Sequence, residues 1–241
     1  MVPRIRSVGG ANALKRQTGG TLAYDFPSAG SNAQMIISHQ HRFIFAAIPK
    51  TGTHSVRHAL REHMSAADLE QVGLFVNKRF PFEELARIRH GHISLQQVRP
   101  FLGDEAFASY FKFAFVRNPF DRFVSYCAFM TRENGAFDRD PKEVMRRMLF
   151  ELRPMHHVLF QPQHTFVTDD DGRLLADYIG RVEEMQTSYD QICGRIGIPS
   201  AELGQVNSSK RGLYRDYYDQ QLIDGVAELY ATDLKLFGYG F

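Results

Sequence analysis

Tryptophan is absent from this chain of 241 residues, and cysteine occurs only twice. Cys127 and Cys193 cannot supply a disulfide framework; they leave one pair or two free thiols, and free thiols suit a reducing cytoplasm. Long hydrophobic runs are missing too: the apolar stretches have the length of strands, well short of the roughly 20 residues that a membrane-spanning helix needs. Nor is there a surplus of one charge. Lys and Arg number 29 against 27 Asp and Glu, a formal charge of +2, which is too balanced for a nucleic-acid binder. Without Trp, stacking on any ligand falls to the 20 Phe and 10 Tyr. What is present is a content of 44% hydrophobic residues, enough for one large α/β core. Met1 to Ala33, rich in Gly and Ala, reads as a mobile N-terminal tail, and residues 34–241 as a single domain without repeat or linker.

The segment Phe43-Ile44-Phe45-Ala46-Ala47-Ile48-Pro49-Lys50-Thr51-Gly52-Thr53-His54-Ser55 reads as a buried strand, a tight loop and the first turn of a helix. Such a junction points unpaired N–H groups and a positive dipole end at one place, which suits a bound phosphate. Gly52 allows the backbone to approach the anion, Lys50 adds a positive charge, and Thr51, Thr53 and Ser55 offer hydroxyls. A nucleotide-phosphate loop of the form Gly-x-x-x-x-Gly-Lys-Ser/Thr is excluded by order, because Lys50 precedes the loop's only glycine.

A second strand-to-helix passage runs from Phe111 to Tyr126. Its apolar run ends at Arg117, Asn118-Pro119 breaks it, and Asp121 opens a helix. If the two strands are parallel neighbours, Arg117 emerges beside the first loop, at the carboxyl edge where open α/β sheets bind ligands. Ser125 then turns its hydroxyl toward the same anion. Arg122 is read as pairing with a carboxylate or capping the helix, and Phe115, Val116, Phe120, Phe123 and Val124 as core.

The order Pro49-Lys50-Thr51-Gly52-Thr53 resembles the 5′-phosphosulfate loop of sulfotransferases, whose donor is 3′-phosphoadenosine 5′-phosphosulfate (PAPS). Arg117-Asn118-Pro119-Phe120-Asp121-Arg122-Phe123-Val124-Ser125 resembles their 3′-phosphate site, in which an Arg and a Ser hold the ribose phosphate. Arg89-His90-Gly91-His92-Ile93-Ser94 resembles the His-Gly-His segment of carbohydrate sulfotransferases, most closely the uronosyl 2-O-sulfotransferases of heparan and dermatan sulfate. The resemblance implies an α/β, P-loop-NTPase-like three-layer sandwich with a central, mainly parallel sheet flanked by helices. It also implies PAPS as donor, a carbohydrate acceptor and no metal. Lys50, Thr51, Gly52, Thr53, His54, Ser55, Arg117 and Ser125 would bind the donor. His92 would be the catalytic base, with His90 as helper or second candidate, and Lys50 would neutralise the leaving phosphate. An imidazole titrating near neutrality is suited to taking a proton from a sugar hydroxyl. A nucleotide phosphotransferase and a catalytically silent PAPS binder are the competing classes.

The likeness extends further along the chain. His156-His157-Val158-Leu159-Phe160-Gln161-Pro162-Gln163 resembles a segment lining the acceptor side, with His156 or His157 either in contact with acceptor or structural. Tyr178 to Met185 resembles the family's late strand, with Arg181 and Glu183 structural. Asn207-Ser208-Ser209-Lys210-Arg211-Gly212 resembles a loop returning to the nucleotide, where Lys210 and Arg211 either touch PAPS or are solvated. His54 stands where relatives carry Thr or Ser, Cys127 where they carry an aromatic or small residue, and Trp is missing from any acceptor subsite. Lys78, Arg79, Arg87 and Arg89 are either solvated surface or a basic rim for an anionic glycan. Golgi-resident relatives begin with a membrane anchor, and Met1 to Ala33 has no apolar run to serve as one. A soluble, cytoplasmic, bacterial enzyme is therefore expected, with a Golgi lumenal one only if the chain is shortened.

The expected layout is a hairpin-like pair, Met35–Ser38 and Phe43–Ile48, then a helix from Thr53 to His63 and a short helical stretch over Pro81–Arg89. A strand over Phe113–Arg117, the helix from Asp121 and a helix over Lys142–Phe150 follow. Asp169-Asp170-Asp171-Gly172 is expected as a turn between strands. A helix over Ser188–Ile196 and one long helix over Asp219–Phe237 close the domain, the latter with Leu222, Val226, Leu229 and Leu236 facing the core. His39 and His41 lack further ligands at metal spacing.

Overall fold

The computed structural model describes residues 35–70, 82–88, 90–204 and 212–241. The N-terminal tail, Lys78, Arg79, Arg89, Lys210, Arg211 and the Asn207-Ser208-Ser209 segment lie outside the described residues.

Aromatic and β-branched runs form a central five-stranded sheet: β1 (Ile36–Ser38), β2 (Phe43–Ala46), β3 (Leu69–Glu70), β4 (Phe111–Val116) and β5 (Tyr178–Arg181), in the order β3-β1-β2-β4-β5. β1 and β2 make the expected antiparallel hairpin, with Ile37 opposite Ile44. β2 pairs parallel with β4 and β4 with β5, so only β1 runs against its neighbours. Among the described residues ten α-helices surround the sheet: α1 (Thr53–Arg61), α2 (Glu83–Ala86), α3 (Leu95–Leu102), α4 (Asp104–Ser109), α5 (Pro119–Met130), α6 (Ala136–Arg139), α7 (Pro141–Arg146), α8 (Met185–Ile196), α9 (Gln220–Leu229) and α10 (Ala231–Phe237).

Alternation along the strands divides the core in two. Phe43, Phe45, Phe113 and Phe115 face Val56 and Leu60 of α1 and Tyr189, Ile192 and Ile196 of α8. Ile44, Ala46, Ala114 and Val116 face Phe120, Phe123 and Val124 of α5 and Leu222 and Val226 of α9. Both faces are thus covered, which is why β2 and β4 read as continuous apolar runs rather than alternating ones. The five core residues expected from the β4–α5 passage are all buried. The two cysteines are free and buried, Cys127 in one core and Cys193 in the other.

Several expectations need correction. The C-terminal helix is broken at Tyr230, whose backbone leaves helical geometry (φ −110°, ψ 27°). The break reorients Asp233 toward the 163–164 backbone, and Tyr230 itself donates its hydroxyl to the Phe160 carbonyl. Leu236 is consequently exposed and Phe237 takes its place in the core. The 142–150 helix ends at Arg146 and continues as a wider π-helical segment, Arg147–Leu152. The turn at Asp169–Gly172 is flanked by an isolated bridge, Thr168 to Leu174, and not by strands. Among the described residues no helix is long and apolar enough to cross a membrane.

Candidate functional site

Because β2 and β4 are parallel and in register at Ala46 and Ala114, the chain leaves both strands at the same sheet edge. Two strand-to-helix passages therefore open side by side, one into α1 and one into α5.

The first passage is tightly wound. Lys50 has φ 67° and Gly52 φ 66°, both left-handed. At Gly52 a Cβ would lie 2.6 Å from Met185 Cε, the movable tip of a flexible side chain, so it is the left-handed backbone rather than space that calls for glycine. Gly52 is the N-cap of α1, with no side-chain cap and no acidic residue in the first turn. Ser94, Asn118 and Asp219 cap α3, α5 and α9 through their side chains. The α1 terminus thus keeps its N–H groups and dipole for an anion. Thr53 opens α1, and Ser55 is buried in its first turn. The Thr51 hydroxyl is turned inward, donating to the Ile48 carbonyl at 2.9 Å, so Thr51 offers an incoming ligand its N–H rather than its hydroxyl. Burial and the positive charges of Arg57 and Lys50 lower the pKa of His54, which puts all three in one positive field. The Lys50 ammonium stands 4.1 Å from the Phe129 ring centre, and the Arg132 guanidinium 4.0 Å from it.

The second passage is held from several sides. Arg117 pairs with Asp121, one turn on, at 2.6 Å. Its backbone N–H donates to Gln163 Oε1 and its carbonyl accepts from Gln163 Nε2, both at 2.9 Å. Glu183 accepts the N–H of Asn118, a structural role in line with expectation. Ser125 follows Asp121 at helical spacing and is buried. Arg122 has neither of the roles expected of it. It is 2% exposed, bonds no carboxylate among the described residues, and donates to the carbonyls of Pro49, Leu159 and Gln161.

Beside these passages lies a cavity of about 470 Å³, lined among others by His90, His92, Ser94, Gln96, Gln161 and His164. The His-Gly-His segment is fixed by the Gly91 carbonyl, which accepts from Met35 N–H, and by the reciprocal Ser94–Gln97 capping box of α3. His92 Nδ1 lies 2.6 Å from the Ala47 carbonyl. A carbonyl can only accept, so Nδ1 carries the proton and Nε2 the lone pair. The His90 ring is 6.2 Å from that of His92, and its buried Nδ1 has no hydrogen-bond partner among the described residues.

Burial lowers the His92 pKa from 6.5 to about 3, against the Ala47 bond that raises it; His90 and Arg122 add smaller downward pushes. The unfolded chain therefore takes up this proton near pH 6.5, while the folded chain does not until about pH 3. Stability contributed by neutral His92 is fully present above that window and is lost on acidification through it, at ~1.4 kcal/mol per pH unit. Burial displaces His54, His90 and His157 in the same direction. In His92→Asn, whose amide nitrogen can replace Nδ1 against Ala47, the urea midpoint should fall less steeply with acid. An unaltered pH profile would remove His92 from this balance.

His156 and His157 are not among the cavity-lining residues; His164 is, and sequence reasoning passed over it. Its Nδ1 lies 2.7 Å from Asp233 Oδ1, and Asp233 is completely buried. Arg132 and Phe129 were also missed, because nothing in their spacing sets them apart; Gln163 stood in the segment resembling the acceptor side, and it is spent instead on the Arg117 backbone. Arg87 is exposed and paired with Glu83 on α2, a solvated-surface role. Among the described residues no three His, Cys, Asp or Glu side chains are grouped so as to hold a metal ion.

No curated protein and no solved structure matches the chain. A family model described as Sulfotransferase family matches residues 33–240, a span that contains both strand-to-helix passages and the residues lining the cavity. The chain belongs to the sulfotransferase family.

Proposed function

We propose that this protein transfers the sulfuryl group of PAPS to a hydroxyl of a carbohydrate. The observation that carries the reading is the uncapped α1 terminus behind Gly52, flanked by Lys50 and opening beside a cavity that holds imidazoles. The residues fit the donor. A 5′-phosphosulfate would lie on the N–H groups of the 50–55 loop, the positive field there would hold its charge, and Arg117 with Ser125 would meet the 3′-phosphate. This donor loop also relates the fold to P-loop NTPases, with the lysine placed before the glycine.

On this reading the bridging S–O bond breaks, its electron pair leaves on the 5′-phosphate, and a new S–O bond forms to the acceptor oxygen. Lys50 and the loop amides neutralise charge growing on the leaving phosphate, a stabilisation that acts in the transition state. A cavity imidazole takes the hydroxyl proton, with His92 Nε2 the assignment implied by resemblance and His90 beside it. The acceptor side supports a polyol: hydroxyl, amide and imidazole groups dominate the described lining, and Gln96 Oε1 is buried without a hydrogen-bond partner among the described residues. The cavity volume falls within the roughly 300–1,000 Å³ usual for small-ligand sites.

Calorimetry with adenosine 3′,5′-bisphosphate and with ATP, followed by transfer of radiolabelled sulfate from PAPS to neutral and anionic glycans, tests the proposal. Tight bisphosphate binding with labelled glycan supports it. Binding without transfer identifies a silent binder, and preference for ATP a phosphotransferase. Arg117→Ala should weaken binding of the bisphosphate at least ~30-fold, the loss of a charge-assisted contact of about 2 kcal/mol. Its effect on adenosine 5′-phosphosulfate, which has no 3′-phosphate, should be small. Equal losses for both ligands would release Arg117 from reading that phosphate.

A further inference from the structure

His164 is the one cavity-lining histidine with a carboxylate behind it among the described residues. Asp233 Oδ1 accepts from His164 Nδ1 at 2.7 Å and from the His164 backbone N–H at 2.8 Å, and Oδ2 accepts from Gln163 N–H at 2.7 Å. Asp233 has no solvent exposure, whereas the His164 side chain is 24% exposed. A carboxylate accepts, so Nδ1 is the protonated nitrogen and Nε2 holds the lone pair. His92 and His164 therefore border one cavity, each with Nδ1 committed as a donor, but with different partners. Behind His92 stands a neutral carbonyl in a fully buried setting, which makes Nε2 a weak proton acceptor, with a pKa of about 3. Behind His164 stands a negative charge, which stabilises the imidazolium that forms when Nε2 accepts a proton.

We propose that His164, positioned by Asp233, is the catalytic group that takes the acceptor's proton, while His92 Nε2 accepts a hydrogen bond that orients the hydroxyl. This deepens the sulfotransferase reading above and rests on it. The acceptor oxygen loses its proton to His164 Nε2 and forms its bond to sulfur as the bridging S–O bond gives its electron pair to the departing bisphosphate. No redox partner is needed. Asp233 keeps its bonds to the Gln163 and His164 backbone N–H groups throughout.

Release of adenosine 3′,5′-bisphosphate from PAPS is followed with water alone, dextran or heparosan as acceptor, using wild type, His164→Ala, Asp233→Asn and the double variant. His164→Ala should turn over at least ~100-fold more slowly, with unchanged bisphosphate affinity and melting temperature close to wild type, and added imidazole should restore part of the rate. Asp233→Asn should slow turnover in the wild-type background but not further in the His164→Ala background, because Asp233 acts through His164. A purely structural Asp233 would cost the same in both. Full turnover in His164→Ala, or loss that imidazole does not relieve in a folded, bisphosphate-binding variant, overturns the assignment while leaving the sulfotransferase reading intact. A wild type that neither binds the bisphosphate nor consumes PAPS sinks the reading itself and the assignment with it.

Discussion

Lys50→Ala should lower the rate of sulfuryl transfer at saturating PAPS by about a hundredfold or more, a loss of roughly 3 kcal/mol of transition-state stabilisation. Affinity for the bisphosphate product should fall much less. The asymmetry follows from where charge develops. On the proposed reading, ground-state phosphosulfate already carries its charge over several oxygens, and the loop amides at the start of α1 would hold it. The bridging oxygen becomes strongly negative only as the S–O bond stretches, and an interaction made there raises kcat without tightening the ground state. Lys50 has a left-handed backbone at φ 67°, a conformation that costs a non-glycine residue on the order of 1 kcal/mol and that the proposed role would account for. Backbone and charge can be separated experimentally. Lys50→Gly accommodates the same φ without strain yet lacks the ammonium, so it should be as slow as Lys50→Ala. A glycine variant close to wild type would attribute the effect to loop geometry. An alanine variant within about threefold of wild type would remove Lys50 from the mechanism altogether.

How much of this was legible in the sequence depended on the range of the interactions that set each feature. The β2 and β4 strands and the positive φ at Gly52 are short-range matters of apolar runs and turn chemistry, and they stand in the structure within two residues of the expected bounds. The helix expected from Asp121 opens two residues earlier, at Pro119, with the Asn118 side chain as its cap. The Thr51 hydroxyl could not be read in the same way. A strand-to-helix loop offers hydroxyls, but which of them turns inward depends on which carbonyl is left unpaired, here that of Ile48. The same limit explains the C-terminal helix. Leu222, Val226 and Leu229 have helical spacing, and nothing local to Tyr230 stops the helix. It stops because Asp233 is required by backbone N–H groups at 163 and 164, some 70 residues earlier. His164 was invisible for that reason: a single histidine in a loop has no local signature, and its carboxylate partner lies far along the chain. The resemblance directed attention to His156 and His157, and the cavity is bordered instead by the histidine after Gln163.

Arg122 is the clearest case of a residue whose local setting gave the wrong partner, and its replacement should have the largest effect on stability. At a helix surface an arginine near Asp121 is expected to find a carboxylate. Here Asp121 is taken by Arg117, and Arg122 is drawn into the interior, where Nε reaches the Pro49 carbonyl at 3.0 Å and Nη2 the Leu159 and Gln161 carbonyls at 3.1 and 2.9 Å. Burial lowers its pKa, and the nearby Tyr230 and buried Asp233 act in the opposite direction. One guanidinium thus ties the loop that precedes α1, just before Lys50, to the cavity wall that leads to His164. Arg122→Ala should destabilise the fold by about 3–5 kcal/mol, since it opens a void and strands the buried carbonyls of Pro49 and Leu159 and the half-buried one of Gln161. Arg122→Met separates those contributions. It refills the volume but cannot donate, so it should recover only the void's share while bisphosphate affinity stays low, because nothing then anchors Pro49. Arg122→Lys keeps the charge but replaces a planar fork with a point donor that cannot span carbonyls on two segments, and it should fall between the two. Urea unfolding and bisphosphate calorimetry on the three variants decide the matter. A methionine variant within about 1 kcal/mol of wild type and equal in affinity would show that the carbonyl bonds contribute little, and that Arg122 acts through bulk alone.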